Sequence, residues 1–208
     1  RATEQVVDAY GVGRVLAFSD GVFAIAITLL VLNIPIPGAG AARPGQLEGQ
    51  LWNVLPNVLA FAWSFLLVGS FWLRHHRLFR NVVLCDGRLL WLNLATLFFV
   101  CLLPFPTALE ARFQDMPTAV QLYAGNLAMI GVMYTIMFEY ASRPPRSVGV
   151  DRAARRTGLA RNLSSAAVFV LVVILARFSP LWANVAFLLL IPALALGGRL
   201  GGRSTRRA

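Results

Sequence analysis

The chain has 208 residues, of which 58% are hydrophobic and only 13% are charged, whereas soluble domains carry about 25% charged residues. It contains 19 basic residues against 9 acidic ones, for a formal net charge of +10, and every basic residue is an arginine. This composition excludes intrinsic disorder. It also disfavours a soluble domain with a basic nucleic-acid-binding face, so we expect no nucleic-acid partner.

Six apolar segments approach the length of about 20 residues that a helix needs to cross a bilayer. In chain order they cover approximately residues 15–34, 54–73, 89–109, 120–138, 160–178 and 181–196, before a basic tail at 197–208. Ser179 and Pro180 separate the last two as a tight helical hairpin. The pattern predicts an all-α polytopic membrane protein in which residues 1–208 form one six-helix domain.

The arginines predict the orientation, because cytoplasmic loops collect positive charge and alternate loops face opposite sides. Sixteen of the 19 lie at the two termini or in the loops after the second and fourth spans. The other three are Arg43, Arg112 and Arg177. We therefore expect both termini to be cytoplasmic.

The first span contains a carboxylate, Asp20, about one turn from its start. Charged groups are costly inside a membrane, so Asp20 should face protein or water instead of lipid. It is either an acidic residue facing the headgroups or a buried anchor. In the second case the candidate partners at the same depth are Arg14, His75 and Asn93.

Helical periodicity, at about 100° per residue, places an apolar stripe on one face of the first span. Thr28 is its one polar side chain, and that hydroxyl could simply bond back to the preceding turn. Periodicity alone leaves a lipid-facing or helix-packing surface open for this stripe. Its members are Phe18, Gly21, Val22, Ile25, Thr28, Leu29 and Leu32.

Enzyme and metal signatures are not found in the sequence. The adjacent His75 and His76 point about 100° apart on a helix, whereas helical metal ligands usually stand four residues apart. We expect no enzyme activity, no cofactor and no bound metal other than ions in transit.

The run Arg14-Val15-Leu16-Ala17-Phe18-Ser19-Asp20 resembles the RxxxFSD signature of the transmembrane protein 175 family of potassium channels. The resemblance continues through residues 21–28, recurs at Phe71–Phe79 in the second span, and recurs at Leu92–Leu94 and Leu102–Thr107 in the third. The last three spans match only in hydropathy.

The resemblance implies a potassium-selective leak-type channel without a TVGYG filter, in which the first helix lines the pore. Carried over by position, the pore-lining residues that select and gate are Ile25, Thr28, Leu29 and Leu32. The family's interhelical packing network corresponds to Arg14, Phe18, Ser19, Asp20, Trp72, His75 and Asn93. A single six-helix repeat implies a bacterial or archaeal homotetramer in the plasma membrane, conducting K⁺ and other monovalent cations and contacting membrane lipids.

Two alternatives remain at this stage. A secondary transporter should have discontinuous helices and charge at the membrane midplane. A membrane scaffold would conduct nothing and would depend on a partner.

Overall fold

A computed structural model describes residues 11–37, 46–113, 115–179, 181–183 and 185–187. These residues are almost entirely helical, which confirms the predicted all-α class. The elements are α1 (Val12–Leu30), which continues as a short 3₁₀ turn (Val31–Asn33), α2 (Gln46–Phe79), α3 (Gly87–Leu102), α4 (Pro104–Arg112), α5 (Pro117–Ala141) and α6 (Arg152–Phe178).

Five stretches of the described residues are long and apolar enough to cross a membrane, with α3 and α4 together making one of them. They correspond to the first five predicted spans. The expected sixth span, 181–196, lies mostly outside the described residues, although residues 181–183 and 185–187 are helical. The basic tail at 197–208 lies wholly outside them.

The helix ends follow local chemistry. The Asp86 and Asp151 carboxylates cap α3 and α6 by accepting hydrogen bonds from the Leu89 and Ala154 amides at 2.9 and 2.6 Å. Pro104 begins α4 two residues after the last residue of α3, because proline supplies no amide hydrogen to continue the hydrogen-bond ladder of α3. The caps and the proline therefore set where these helices start.

The helix α5 is the most buried of the spanning segments and packs along α6. At one contact between them Gly131 lies against Ala166, where a Cβ on the glycine would lie 3.3 Å from the Ala166 Cβ. Small residues at such a contact allow two helix backbones to approach closely. Of the other helices, α3 packs against α5 of this pair, and α1 packs in turn against α2 and α3.

The two arginine-rich loops, α2–α3 and α5–α6, meet at one end of the bundle. Val82 and Ser147 form an isolated β-bridge, and the Val83 amide donates to the Arg146 carbonyl at 2.8 Å. At the other end, the Asn33 side chain donates to the Pro104 carbonyl at 3.2 Å. The first of these is called the arginine-rich end below.

Candidate pore-lining helix

The helix α1 has one face in the protein core and one face outside it. The buried face is apolar except for a serine, and consists of Val15, Ser19, Phe23, Ala26 and Leu30. On the opposite face the exposed fractions are 56% for Phe18, 61% for Ile25, 42% for Leu29 and 74% for Leu32. Apart from Val22, which is half-buried against the core, the stripe found by periodicity is thus the surface that a single chain leaves uncovered.

Thr28 lies among these exposed apolar side chains. Its hydroxyl donates to the Ile25 carbonyl at 2.9 Å, which satisfies the donor within the helix. The oxygen keeps its acceptor capacity and lies on the exposed face. The residue can therefore offer an oxygen to a ligand without breaking its own hydrogen bond.

The stripe ends in the 3₁₀ turn and not in α-helix, because α1 stops at Leu30. Leu32 lies in this turn and remains exposed. The next residue, Asn33, is tied to the start of α4 through the Pro104 carbonyl. This bond positions the Leu32 end of the stripe relative to the rest of the bundle.

A buried chain of hydrogen bonds joins α1, α2 and α3. The Asn93 side-chain amide donates to the Ser19 hydroxyl at 2.9 Å, and the Ser19 hydroxyl donates to the Val15 carbonyl at 2.8 Å. The Asn93 oxygen lies 2.7 Å from His75 Nε2, which must donate because that oxygen has no hydrogen. Ser19, His75 and Asn93 are each fully buried.

Asp20 takes a separate partner. Its carboxylate accepts a hydrogen bond from the Trp72 indole at 2.7 Å, and the indole in turn lies 5.7 Å from the His76 ring. The observed partner is therefore none of the three candidates that were chosen by their depth in the membrane, Arg14, His75 and Asn93. A choice by depth does not take into account that an indole N–H inside a protein needs an acceptor.

Two residues predicted to belong to the packing network make no part of it in the single chain. The side chains of Arg14 and Phe18 are both exposed, and Arg14 forms no ion pair among the described residues. The structure brings together Ser19, His75 and Asn93 in one group and Asp20 with Trp72 in another. Arg14 and Phe18 are left on the uncovered side of α1.

Sequence reasoning missed the aromatic side chains that enclose His75. Its ring stacks on Phe79 at 4.5 Å between centroids, and Phe23 lies 5.5 Å away. The signal was present as spacing, since His75 and Phe79 are four residues apart on one helix face. In the described parts of the chain, no group of three His, Cys, Asp or Glu side chains could hold a metal.

The chain is similar in sequence to known potassium channels. A family profile described as "Endosomal/lysosomal potassium channel TMEM175" matches residues 14–104. A protein named potassium channel from Streptomyces collinus is 41% identical over 127 residues, which are 61% of this chain and 61% of that protein. Another of that name from Chamaesiphon minutus is 39% identical over 137 residues, covering 64% of this chain and 68% of that protein.

A solved structure shares the fold over most of the chain. It is the crystal structure of a lysosomal potassium-selective channel TMEM175 homolog from Chamaesiphon minutus. Its TM-score is 0.78 at 31% identity, covering 89% of this chain and 96% of that one. The aligned part of the Streptomyces relative is nevertheless under two thirds of that protein's length.

Proposed function

Because this chain belongs to the TMEM175 family of ion channels and is no enzyme, we propose that it is one subunit of a potassium-preferring cation channel. The whole protein conducts passively, K⁺ is the main conducted ion, and other monovalent cations pass less readily. The protein is a multi-pass membrane protein, and we place it in the plasma membrane of a prokaryote with its arginine-rich end in the cytoplasm.

The exposed face of α1 is the observation that carries this proposal. A helix whose other side is tied to α2 and α3 by buried hydrogen bonds cannot easily rotate this face into its own core. Large exposed apolar surfaces usually mark an interaction site or a membrane contact. Its continuity from Phe18 to Leu32, with a single hydroxyl, suits a pore that four copies complete.

A homotetramer with α1 nearest the axis turns each side chain of the stripe into a ring of four. Rings of Ile25, Leu29 and Leu32 form apolar constrictions, which select and gate through partial dehydration of the ion. The Thr28 ring supplies four hydroxyl oxygens between them. In this arrangement the whole chain, 1–208, is one six-helix subunit.

Replacing Ile25 with asparagine tests this assignment in liposomes that contain the purified protein. The polar ring should let hydrated Na⁺ pass, so we expect the K⁺-over-Na⁺ permeability ratio to fall to about one. The matched control is Ile174→Asn, the same replacement on α6, where the isoleucine is 53% exposed. The control should leave the ratio at its wild-type value.

An unchanged ratio in the Ile25 variant would remove Ile25 as the selectivity position. Saturable K⁺ flux that requires a proton gradient would instead support a secondary transporter. Liposomes that stay impermeable to K⁺ with folded protein in them would support a scaffold. Neither alternative is favoured, because the bacterial relatives are named potassium channels.

A further inference from the structure

A cavity of about 450 Å³ opens at the arginine-rich end, between the end of α2, the end of α5 and the first turns of α6. Its volume falls in the range of small-molecule sites. The cavity lies on the side of α2 that carries Arg74 and Arg77, away from the α1 stripe. It is not part of the proposed pore.

Three arginines line this cavity: Arg74 and Arg77 from α2, and Arg161 from α6. None of the three forms an ion pair among the described residues, in which the arginines that do so are Arg143, Arg146 and Arg155. Arg74 instead donates to the Ser165 hydroxyl at 3.1 Å. Like charges this close repel one another, and a bound anion would relieve that repulsion.

Among the described residues, the acidic side chain that lines the cavity is Asp151. Its carboxylate is already used, since it caps α6 by accepting from the Ala154 amide at 2.6 Å. It offsets one of the three positive charges and leaves an excess of two. The first turn of α6, with Ala153 and Ala154 on the cavity wall, adds the partial positive charge of a helix N-terminus.

Ser142 gives an independent indication. It lies on the cavity wall and is only 3% exposed, yet its hydroxyl has no hydrogen-bond partner. Buried hydroxyls are nearly always paired, because leaving one unpaired is unfavourable. A ligand with oxygen acceptors would complete this group and the arginines together.

We infer that this cavity binds a phosphate-bearing anion, held by Arg77 and Arg161 at its charged groups and by the Ser142 hydroxyl. Phosphate oxygens accept from guanidinium groups in pairs, which makes arginine the residue best matched to them. The phosphate could belong to the headgroup of an anionic lipid or to a soluble phosphate compound. Both share the chemistry that the cavity recognises, and a bound anion would link α2 to α6.

Titration calorimetry of the purified, detergent-solubilised chain tests this with two probes. The probes are inorganic phosphate and short-chain phosphatidylglycerol, each compared with short-chain phosphatidylcholine. We expect saturable binding of one anion per chain. Saturation by inorganic phosphate would identify a soluble phosphate as the source, and saturation by phosphatidylglycerol alone would identify a lipid headgroup.

The variants locate the site. Arg77→Gln combined with Arg161→Gln should weaken binding by at least about tenfold, since hydrogen bonds to charged groups are lost. The control is Arg156→Gln, an exposed arginine of the same helix outside the cavity, which should change the affinity less than about twofold. Circular dichroism and unchanged Tm should show that the variants are folded.

Ser142→Ala separates a ligand-binding hydroxyl from a structural one. Since the hydroxyl has no partner in the protein, its removal should not lower the Tm of the ligand-free protein but should weaken anion binding several-fold. Two results would overturn the inference: no saturable binding of either probe, or a loss of affinity in Arg156→Gln equal to that in the Arg77→Gln, Arg161→Gln double variant. Neither result depends on whether the protein conducts ions.

Discussion

The buried Asn93 is the residue on which three helices depend. Its amide group accepts from the His75 ring on α2 and donates to the Ser19 hydroxyl on α1. Both neighbours are fully buried, so in the intact protein this amide is their partner in place of water. Together with the Asp20–Trp72 bond, this side chain fixes the position of the α1 stripe relative to α2 and α3.

Asn93→Ala should therefore destabilise the protein. It leaves the His75 Nε2 hydrogen without an acceptor in a buried site, at a cost of about 1–3 kcal/mol. For a chain of this size that corresponds to a decrease of several degrees in Tm, measurable by thermal unfolding in detergent. Asn53→Ala, at an exposed position of α2, is the control, and an equal decrease in both variants would refute the role of Asn93.

At the scale of elements, the loops α2–α3 and α5–α6 are joined through Asp86. Its carboxylate accepts from the Leu89 amide, from the Tyr140 hydroxyl at 2.7 Å and from Arg146 Nε at 2.8 Å. Partial desolvation raises the pKa of Asp86, but these hydrogen bonds and the Arg146 charge outweigh it and lower the pKa from 3.8 to about 2. The charged form is thus favoured by folding.

Asp86→Asn should lower the Tm at neutral pH, because the amide keeps the helix cap but loses the charge beside Arg146. Since the folded pKa lies below 3.8, the stabilisation is present above that pH and lost as the pH falls toward 2. The difference in Tm between the wild type and the variant should therefore shrink between about pH 4 and pH 2. The control is Asp115→Asn, at an exposed aspartate without an ion pair among the described residues, and its Tm should equal that of the wild type. A difference in Tm between the wild type and Asp86→Asn that stays constant at all pH values would contradict the account.

The contact between α5 and α6 gives a second prediction at this scale. In Gly131→Leu the new Cβ would lie 3.3 Å from the Ala166 Cβ, so the rest of the leucine side chain should push the two helices apart. Overpacking of this kind costs about 1–3 kcal/mol and should lower the Tm. The control is Gly125→Leu on the same helix, where nothing lies within 4 Å of the position of the new Cβ, and it should leave the Tm unchanged. Similar decreases in the Tm of both variants would show that the α5–α6 contact at Gly131 is not important for stability.

The sequence predicted the elements better than their ends. Five spans were located from apolar length, because length and hydropathy are what a bilayer requires. The start of α2 at Gln46 was missed by eight residues, because the span at 54–73 was placed by apolar length and the helix extends beyond the apolar stretch. The helix also runs through Pro56, which long membrane-type helices tolerate. The 3₁₀ turn at Val31–Asn33 was missed too, because its bond to Pro104 is tertiary.

Part of the candidate site could also be predicted from the sequence, and part could not. The exposed stripe through Ile25 and Leu32 followed from periodicity, which reports the faces of a helix directly. Its meaning came from the resemblance, because a lipid-facing stripe has the same period. The Asp20–Trp72 pair could not be found from depth, because depth alone does not say which donor at a given level points toward the carboxylate.

At the scale of the whole molecule, the arginines and the α1 stripe serve different purposes. The loops that carry arginines after α2 and α5 meet at one end of the bundle, which agrees with the predicted one-sided distribution of charge. The described part of the stripe, by contrast, is uncharged and exposed. We therefore propose that the arginines set the orientation of the protein in the membrane and that the uncharged face lines the path of the ion.

The central claim is that four copies of this chain place the exposed face of α1 around one axis. Single-particle imaging of the purified protein in lipid nanodiscs tests it directly. The account predicts fourfold-symmetric particles in which α1 is the helix nearest the axis, with Ile25 at the narrowest point. A monomeric particle, or a tetramer in which the Ile25 side chain faces lipid, would contradict it.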